Sequence, residues 1–95
     1  MAKLKPDRMT LDAAEALALQ GLTFLASDAA RLSRFLSLTG TEPTALRDWA
    51  ENRSIQAAVL EHFLADESLL LVFAAEAGMP PEGVAPAHAL LSESR

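Results

Sequence analysis

The side chains of this sequence that are best placed to do chemistry surround His62. Glu61 precedes it, and Asp66 follows four residues later, a spacing that puts His62 and Asp66 on one helix face or at its end. A histidine beside a carboxylate can act as a general base or bind a metal ion. One hypothesis for this chain is therefore a small enzyme or metal-binding protein centred on His62 and Asp66.

The rest of the sequence does not complete such a site. A metal site needs three or four converging ligands, and the second histidine, His88, lies in another segment, where Pro86 suggests an irregular backbone. The chain has no cysteine, and it lacks both a glycine-rich phosphate loop and a nucleophile motif. We therefore expect no catalytic residue, no metal and no cofactor, with His62 a surface or partly buried helix residue.

Acidic residues stand where helices are expected to begin. Asp28, next to Ser27, and Asp66, next to Glu67, can each accept hydrogen bonds from the free backbone N–H groups of a first turn. Capping explains both pairs without a catalytic role.

Composition indicates an all-α protein. Leucine and alanine supply 36 of the 95 residues, whereas only four are β-branched aliphatics, and no segment alternates with the period of a strand. We predict a compact bundle of five to six short helices. The predicted helices run from Thr10 to Ala26, from Ser27 or Asp28 to Gly40, from Pro43 to near Asn52, from Ser54 through Leu64, from Asp66 to Gly78, and from Pro81 as a last short helix.

The sequence also predicts how two of these helices pack. Gly21 lies within the apolar side of the first helix, which predicts a close approach of another helix. The helix between Asp66 and Gly78 is apolar on nearly all sides from Leu69 to Ala75, which predicts a central position.

The order of these signals repeats along the chain. Residues 24–28 (FLASD) match 63–67 (FLADE), and five later positions match with a spacing one residue shorter: Leu32, Phe35, Gly40, Pro43 and Leu46 with Leu70, Phe73, Gly78, Pro81 and Val84. A duplicated three-helix unit would explain this order, because two such units can bury each other's apolar faces. Chance similarity between helices rich in leucine and alanine is the alternative.

Length and hydropathy predict one domain. We expect a flexible N-terminus over residues 1–9, a helical domain over 10–91 and a flexible tail over 92–95. The longest apolar run, residues 69–75, falls far short of the roughly 20 residues that cross a membrane, and the start lacks the pattern of a signal peptide. The predicted location is the cytoplasm.

The net charge of −5 argues against a general nucleic-acid binder, which needs surplus cations. The whole excess lies in residues 54–95, which hold six acidic residues against Arg95. This half is either a solvated face or a surface for a basic partner.

The aromatic residues are predicted to form the core, with Trp49 partly exposed. Trp49 follows Arg47 and Asp48, and tryptophan with arginine is typical of binding surfaces. Leu19 falls among polar positions of the first helix. We therefore single out Leu19, Arg47 and Trp49 as candidate interface residues.

The sequence resembles a family of short, uncharacterised alphaproteobacterial proteins catalogued as a domain of unknown function. The resemblance spans nearly the whole chain and is carried by residues 14–15, 22–26, 34–36, 39–40, 46–47, 59–67, 69–71, 73 and 78–82. These are packing and capping motifs, and the resemblance implies no activity. The residues favour a non-enzymatic accessory protein that acts through contact with a protein partner or by self-association, without nucleic acid or membrane.

Overall fold

The helices lie close to where local sequence signals place them. The structure is a computed structural model that describes residues 9–93, and within that range it contains helices and no strand. This confirms the all-α bundle. The α-helices are α1 (Leu11–Ala26), α2 (Ala29–Thr39), α3 (Arg53–Leu64), α4 (Glu67–Ala77) and α5 (Val84–Glu93), with a long 3₁₀ helix at Pro43–Glu51 and a short one at Pro81–Gly83.

Side-chain caps set the helix starts. Thr10, Asp28 and Asp66 accept hydrogen bonds from backbone N–H groups of the first turns of α1, α2 and α4, as predicted. The predicted cap Ser54 is wrong. Asn52 is the cap, because its extended backbone directs its amide oxygen to the N–H of Ile55, at 3.0 Å.

Two glycines end helices as expected. Gly40 and Gly78 follow α2 and α4 with φ of 70° and 69°, a left-handed conformation that side chains other than glycine rarely adopt.

Helices α1, α3 and α5 pack against one another at the centre of the bundle. The core holds residues from every α-helix: Ala14, Leu17, Ala18, Phe24, Leu25, Phe35, Ala57, Val59, Leu60, Phe63, Phe73, Val84, Ala87 and Leu91. The prediction that the helix now labelled α4 is central is wrong. Its Leu71 and Val72 residues are 50% and 45% exposed, because α5, which is rich in small residues, packs on both α1 and α3 and takes the central place instead.

The close approach predicted at Gly21 is confirmed. A Cβ atom placed there would lie 2.8 Å from the Phe63 ring and 2.9 Å from a methyl carbon of Val59. The absence of a side chain therefore lets α1 lie directly on α3.

The third predicted helix is a 3₁₀ helix with a kink at Asp48, where φ and ψ are −100° and 21°. The predicted irregularity at Pro86 is wrong. Pro86 is the third residue of α5, and a first-turn residue needs no N–H bond within its helix.

The structure describes only part of the two segments that were predicted to be flexible. Ser92 and Glu93 belong to α5, and Met9 packs against the core. Residues 1–8 and 94–95, the remainder of the segments predicted to be flexible, lie outside the described residues.

Candidate functional site

An apolar groove, here called the α1–α4 groove, separates α1 from α4. It encloses about 450 Å³ and is lined by Leu19, Gln20, Thr23, Phe24, Ser27, Phe73, Glu76 and Ala77. The buried rings of Phe24 and Phe73 lie 5.7 Å apart, and Phe63 stacks on Phe73 at 4.3 Å. The lining is therefore anchored on the rigid aromatic core.

The rim of this groove is apolar and open. Leu19 on α1 is 48% exposed, and Val72 lies four residues before Glu76, which places it on the same side of α4. Glu76 is the charged member of the lining, and the guanidinium of Arg31 stacks over the Phe24 ring at 4.6 Å. An apolar side chain could enter here without displacing a salt bridge.

A second groove, here called the α2–α3 groove, runs between α2 and α3. It consists of two adjoining cavities of about 320 and 360 Å³ that share Leu38, His62 and Ala65. The further lining residues are Arg34, Asp66, Glu67 and Ser68 at one end and Thr39, Ala58 and Glu61 at the other. Leu38 is 64% exposed, so this groove also offers apolar surface to solvent.

His62 lies at the bottom of the α2–α3 groove and is nine-tenths buried. Its ring stands edge-on to the Phe35 ring at 5.4 Å. Burial, followed by the positive charge of Arg34, lowers the pKa of His62 below its ordinary value, while Asp66 acts in the opposite direction. The imidazole is therefore neutral at neutral pH.

The hypothesis of a metal or catalytic site at His62 and Asp66 gains no further ligand from the structure. Asp66 uses one carboxylate oxygen to cap α4, accepting from the N–H of Leu69 at 3.2 Å. Within residues 9–93, no three His, Asp or Glu side chains are grouped so that they could hold a metal ion. The fold instead brings His88 of α5 to Glu61, with 3.8 Å between Nε2 and Oε1, a proximity that the sequence did not suggest.

The three candidate interface residues lie on two different elements. Leu19 lines the α1–α4 groove, whereas Arg47 and Trp49 lie on the long 3₁₀ helix. Arg47 is exposed, and Trp49 is half-buried against the core. Nothing in the fold tests their role, which stays a prediction.

Several residues of the grooves were missed by sequence reasoning. Leu38 was not singled out, because its place in the groove depends on how α2 packs on α3. Nothing in the sequence indicated a role for Arg34, because only the crossing of α2 and α3 places it beside His62. Glu76 was noted only as one of the acidic residues of the C-terminal half.

The two grooves occupy corresponding positions of the internal repeat. Lining residues of the first groove match lining residues of the second at the two offsets of the repeat, 39 and 38 residues. Leu19, Thr23 and Ser27 correspond to Ala58, His62 and Asp66, and Glu76 and Ala77 correspond to Leu38 and Thr39. Helix α1 packs on α2 and α4, and α3 packs on α4 and α2. A duplicated three-helix unit predicts this arrangement, and chance similarity between helices is the alternative.

The comparisons with known proteins identify a family and no activity. Among residues 9–93, none of the helices has the length and hydropathy that a membrane span requires. No curated protein and no solved structure matches the chain. A family model described as protein of unknown function (DUF3572) matches residues 11–94. The chain therefore belongs to the DUF3572 family of proteins of unknown function, in agreement with the resemblance seen in its sequence.

Proposed function

We propose that this protein acts by binding another protein and not by catalysis, and that the α1–α4 groove receives an apolar helix of the partner that also carries lysine or arginine. The observation that carries the proposal is an open apolar groove, with Phe24 and Phe73 in its wall and exposed Leu19 at its rim. An amphipathic helix that buries its apolar face in such a groove is a common mode of recognition.

Covering the rim would contribute to affinity. Leu19 and Val72 each expose nearly half of their surface. Full burial of an aliphatic side chain is favourable by about 1.5–3 kcal/mol, so covering these halves contributes about 1 kcal/mol each. The rings beneath them are fixed by the core, which keeps the ordering cost of binding low.

The charge distribution favours a basic partner. Glu76 lines the groove, and residues 54–95 carry the entire excess of negative charge. A complementary positive charge steers association, whereas α4 of a second copy would bring Glu67 and Glu76 against a surface of the same sign. We therefore propose a partner of another kind in preference to self-association.

Two other expectations accompany this proposal. Arg47 and Trp49 are proposed as a second contact, separate from the groove, because a half-buried tryptophan beside an exposed arginine is typical of binding surfaces. The cytoplasm remains the predicted location.

Site-specific crosslinking tests the proposal. A photoreactive phenylalanine analogue is placed at Leu19 or Val72 in cells of the source organism, with Ser33, which is exposed on the opposite side of α2 from Phe35, as the matched control. We expect the two groove positions, and not the control, to crosslink to one protein through a helical segment that contains lysine or arginine.

Two results would contradict the proposal. Equal crosslinking from Ser33 and the groove positions would show that the contacts are unspecific. A product of twice the mass of the chain would show that a second copy fills the groove.

A further inference from the structure

We propose that the α2–α3 groove is a second binding site, selective for a cationic side chain of a protein partner. The ring nitrogen of His62 and the carboxylate of Glu61 would receive the cation, while Leu38 and Ala65 would cover its aliphatic stem. This site is distinct from the α1–α4 groove and goes beyond the function proposed for it.

The unpaired ring of His62 is the first observation. The residue is nine-tenths buried, and neither ring nitrogen hydrogen-bonds to a residue in the part of the chain that the structure describes. In that same part, every fully buried side-chain nitrogen and oxygen has a partner. Both ring nitrogens of His62 are therefore reached by solvent, and the α2–α3 groove, whose two cavities the residue lines, gives access to the ring.

The charges around the groove are the second observation. Arg34 from α2 faces Asp66 and Glu67 at the start of α4, and Glu61 from α3 stands at the other end beside His88 of α5. Three carboxylates thus outnumber one guanidinium. The excess negative charge favours a cation, and a neutral imidazole can accept a hydrogen bond from an ammonium or guanidinium group.

The corresponding positions of the α1–α4 groove lack this chemistry. Thr23 and Ser27 occupy the places of His62 and Asp66, and the Ser27 hydroxyl donates to the carbonyl of Phe24 at 2.7 Å. The two grooves therefore differ in what they can recognise, although both offer apolar surface. Only the α2–α3 groove combines a buried acceptor with flanking carboxylates.

Binding of a defined peptide to the ¹⁵N-labelled full chain tests this site. The probe is an amphipathic helix of leucine and lysine about fourteen residues long, and a counterpart of leucine and glutamate is the control. We expect the lysine peptide to shift the amide signals of Leu38, Ala65 and their neighbours, and the glutamate peptide to leave them unchanged.

Substitutions of His62 and Glu61 test whether these two side chains bind the cation. His62→Phe keeps a ring against Phe35 and removes the acceptor, and we expect about tenfold weaker binding at this groove, the usual loss for a hydrogen bond to a charged group. Glu61→Gln changes an exposed residue without disturbing the fold and should weaken binding two- to fivefold. Glu82→Gln, exposed outside both grooves, is the matched control and should have no effect.

The outcomes separate the two proposals. Signal shifts confined to the α1–α4 groove would overturn the second site and leave the proposed function intact. Selectivity for a cation would be overturned if the glutamate peptide shifted the Leu38 signal as much as the lysine peptide does. It would also be overturned if Glu61→Gln and His62→Phe bound the lysine peptide with the native affinity. Loss of binding at this groove alone when His62 is protonated at low pH would support it.

Discussion

The side-chain amide of Gln56 donates a hydrogen bond of 2.8 Å to the backbone carbonyl of Trp49. The same nitrogen lies 3.1 Å from the carbonyl of Ala50, and the amide oxygen accepts from Arg53 Nη1 at 2.8 Å. Arg53 in turn pairs with Glu15 of α1. A single buried side chain thus joins the end of the long 3₁₀ helix to the start of α3.

Replacing Gln56 by leucine should loosen the long 3₁₀ helix. The Trp49 carbonyl keeps only the N–H of Asn52, the Ala50 carbonyl loses the amide donor, and each lost hydrogen bond costs about 0.5–1.5 kcal/mol. Because the protein has one tryptophan, a red shift of its emission reports this change directly. Thr44→Ala, an exposed change on the same helix, is the control, and a Gln56→Leu variant with the native emission would contradict the role of this amide.

Alanine substitutions should show that Asn52, and not Ser54, caps α3. Asn52→Ala deletes the acceptor of the Ile55 N–H and is expected to lower the free energy of unfolding by about 1 kcal/mol. Ser54→Ala should change it by less than about 0.5 kcal/mol, the usual range at exposed positions. Urea denaturation measures both, and the reverse order would show that Ser54 is the cap.

Adding a methyl group at Gly21 should destabilise the protein. The new Cβ would lie under 3 Å from Phe63 and Val59, and such overpacking costs about 1–3 kcal/mol, more than the roughly 1 kcal/mol that alanine contributes over glycine in a helix. Thermal unfolding of Gly21→Ala measures the effect. Val59→Ala makes room, so the double variant should lose less than the sum of the single changes. A Gly21→Ala protein more stable than the native one would contradict the close contact of α1 and α3.

The peripheral position of α4 predicts unequal effects of neighbouring substitutions. Leu71→Ser alters a half-exposed side chain and should cost less than about 1 kcal/mol. Phe73→Ala removes a buried ring that stacks on Phe63 and should cost about 3–5 kcal/mol. Chemical denaturation compares the two variants, and similar losses would indicate a central α4.

The neutral state of His62 predicts how stability depends on pH. Its pKa in the folded protein lies below the ordinary value of 6.5 because of burial and the nearby Arg34. Between these two values the unfolded chain binds a proton that the folded protein does not, so stability falls as the pH falls through this range.

Two measurements check this dependence. His62→Phe should remove the part of the stability loss that His62 causes between pH 6.5 and its pKa in the folded protein. Denaturation at several pH values measures this difference. The imidazole signals in long-range ¹H–¹⁵N spectra give the pKa of His62 directly. A value at or above 6.5 would contradict the prediction.

Local sequence signals were enough to predict where the helices lie, whereas the packing of the helices and the grooves depends on contacts between distant parts of the sequence. Caps such as Asp28 and Asp66 act within three residues, so their position could be predicted from the sequence. The place of α4 depends on competition with α5 for the same space, which no single helix encodes. The role of Gln56 depends on a kinked segment seven residues away, and both grooves depend on how pairs of helices cross.

The duplication hypothesis has a consequence for how the two grooves came to differ. In a symmetric pair of separate subunits, every change in one cleft appears in the other, since one gene encodes both. Covalent fusion of the two units removes that constraint, and a histidine can then arise at position 62 while its counterpart at position 23 stays threonine. Under this hypothesis, a molecule of this size acquires two specificities from a single ancestral surface.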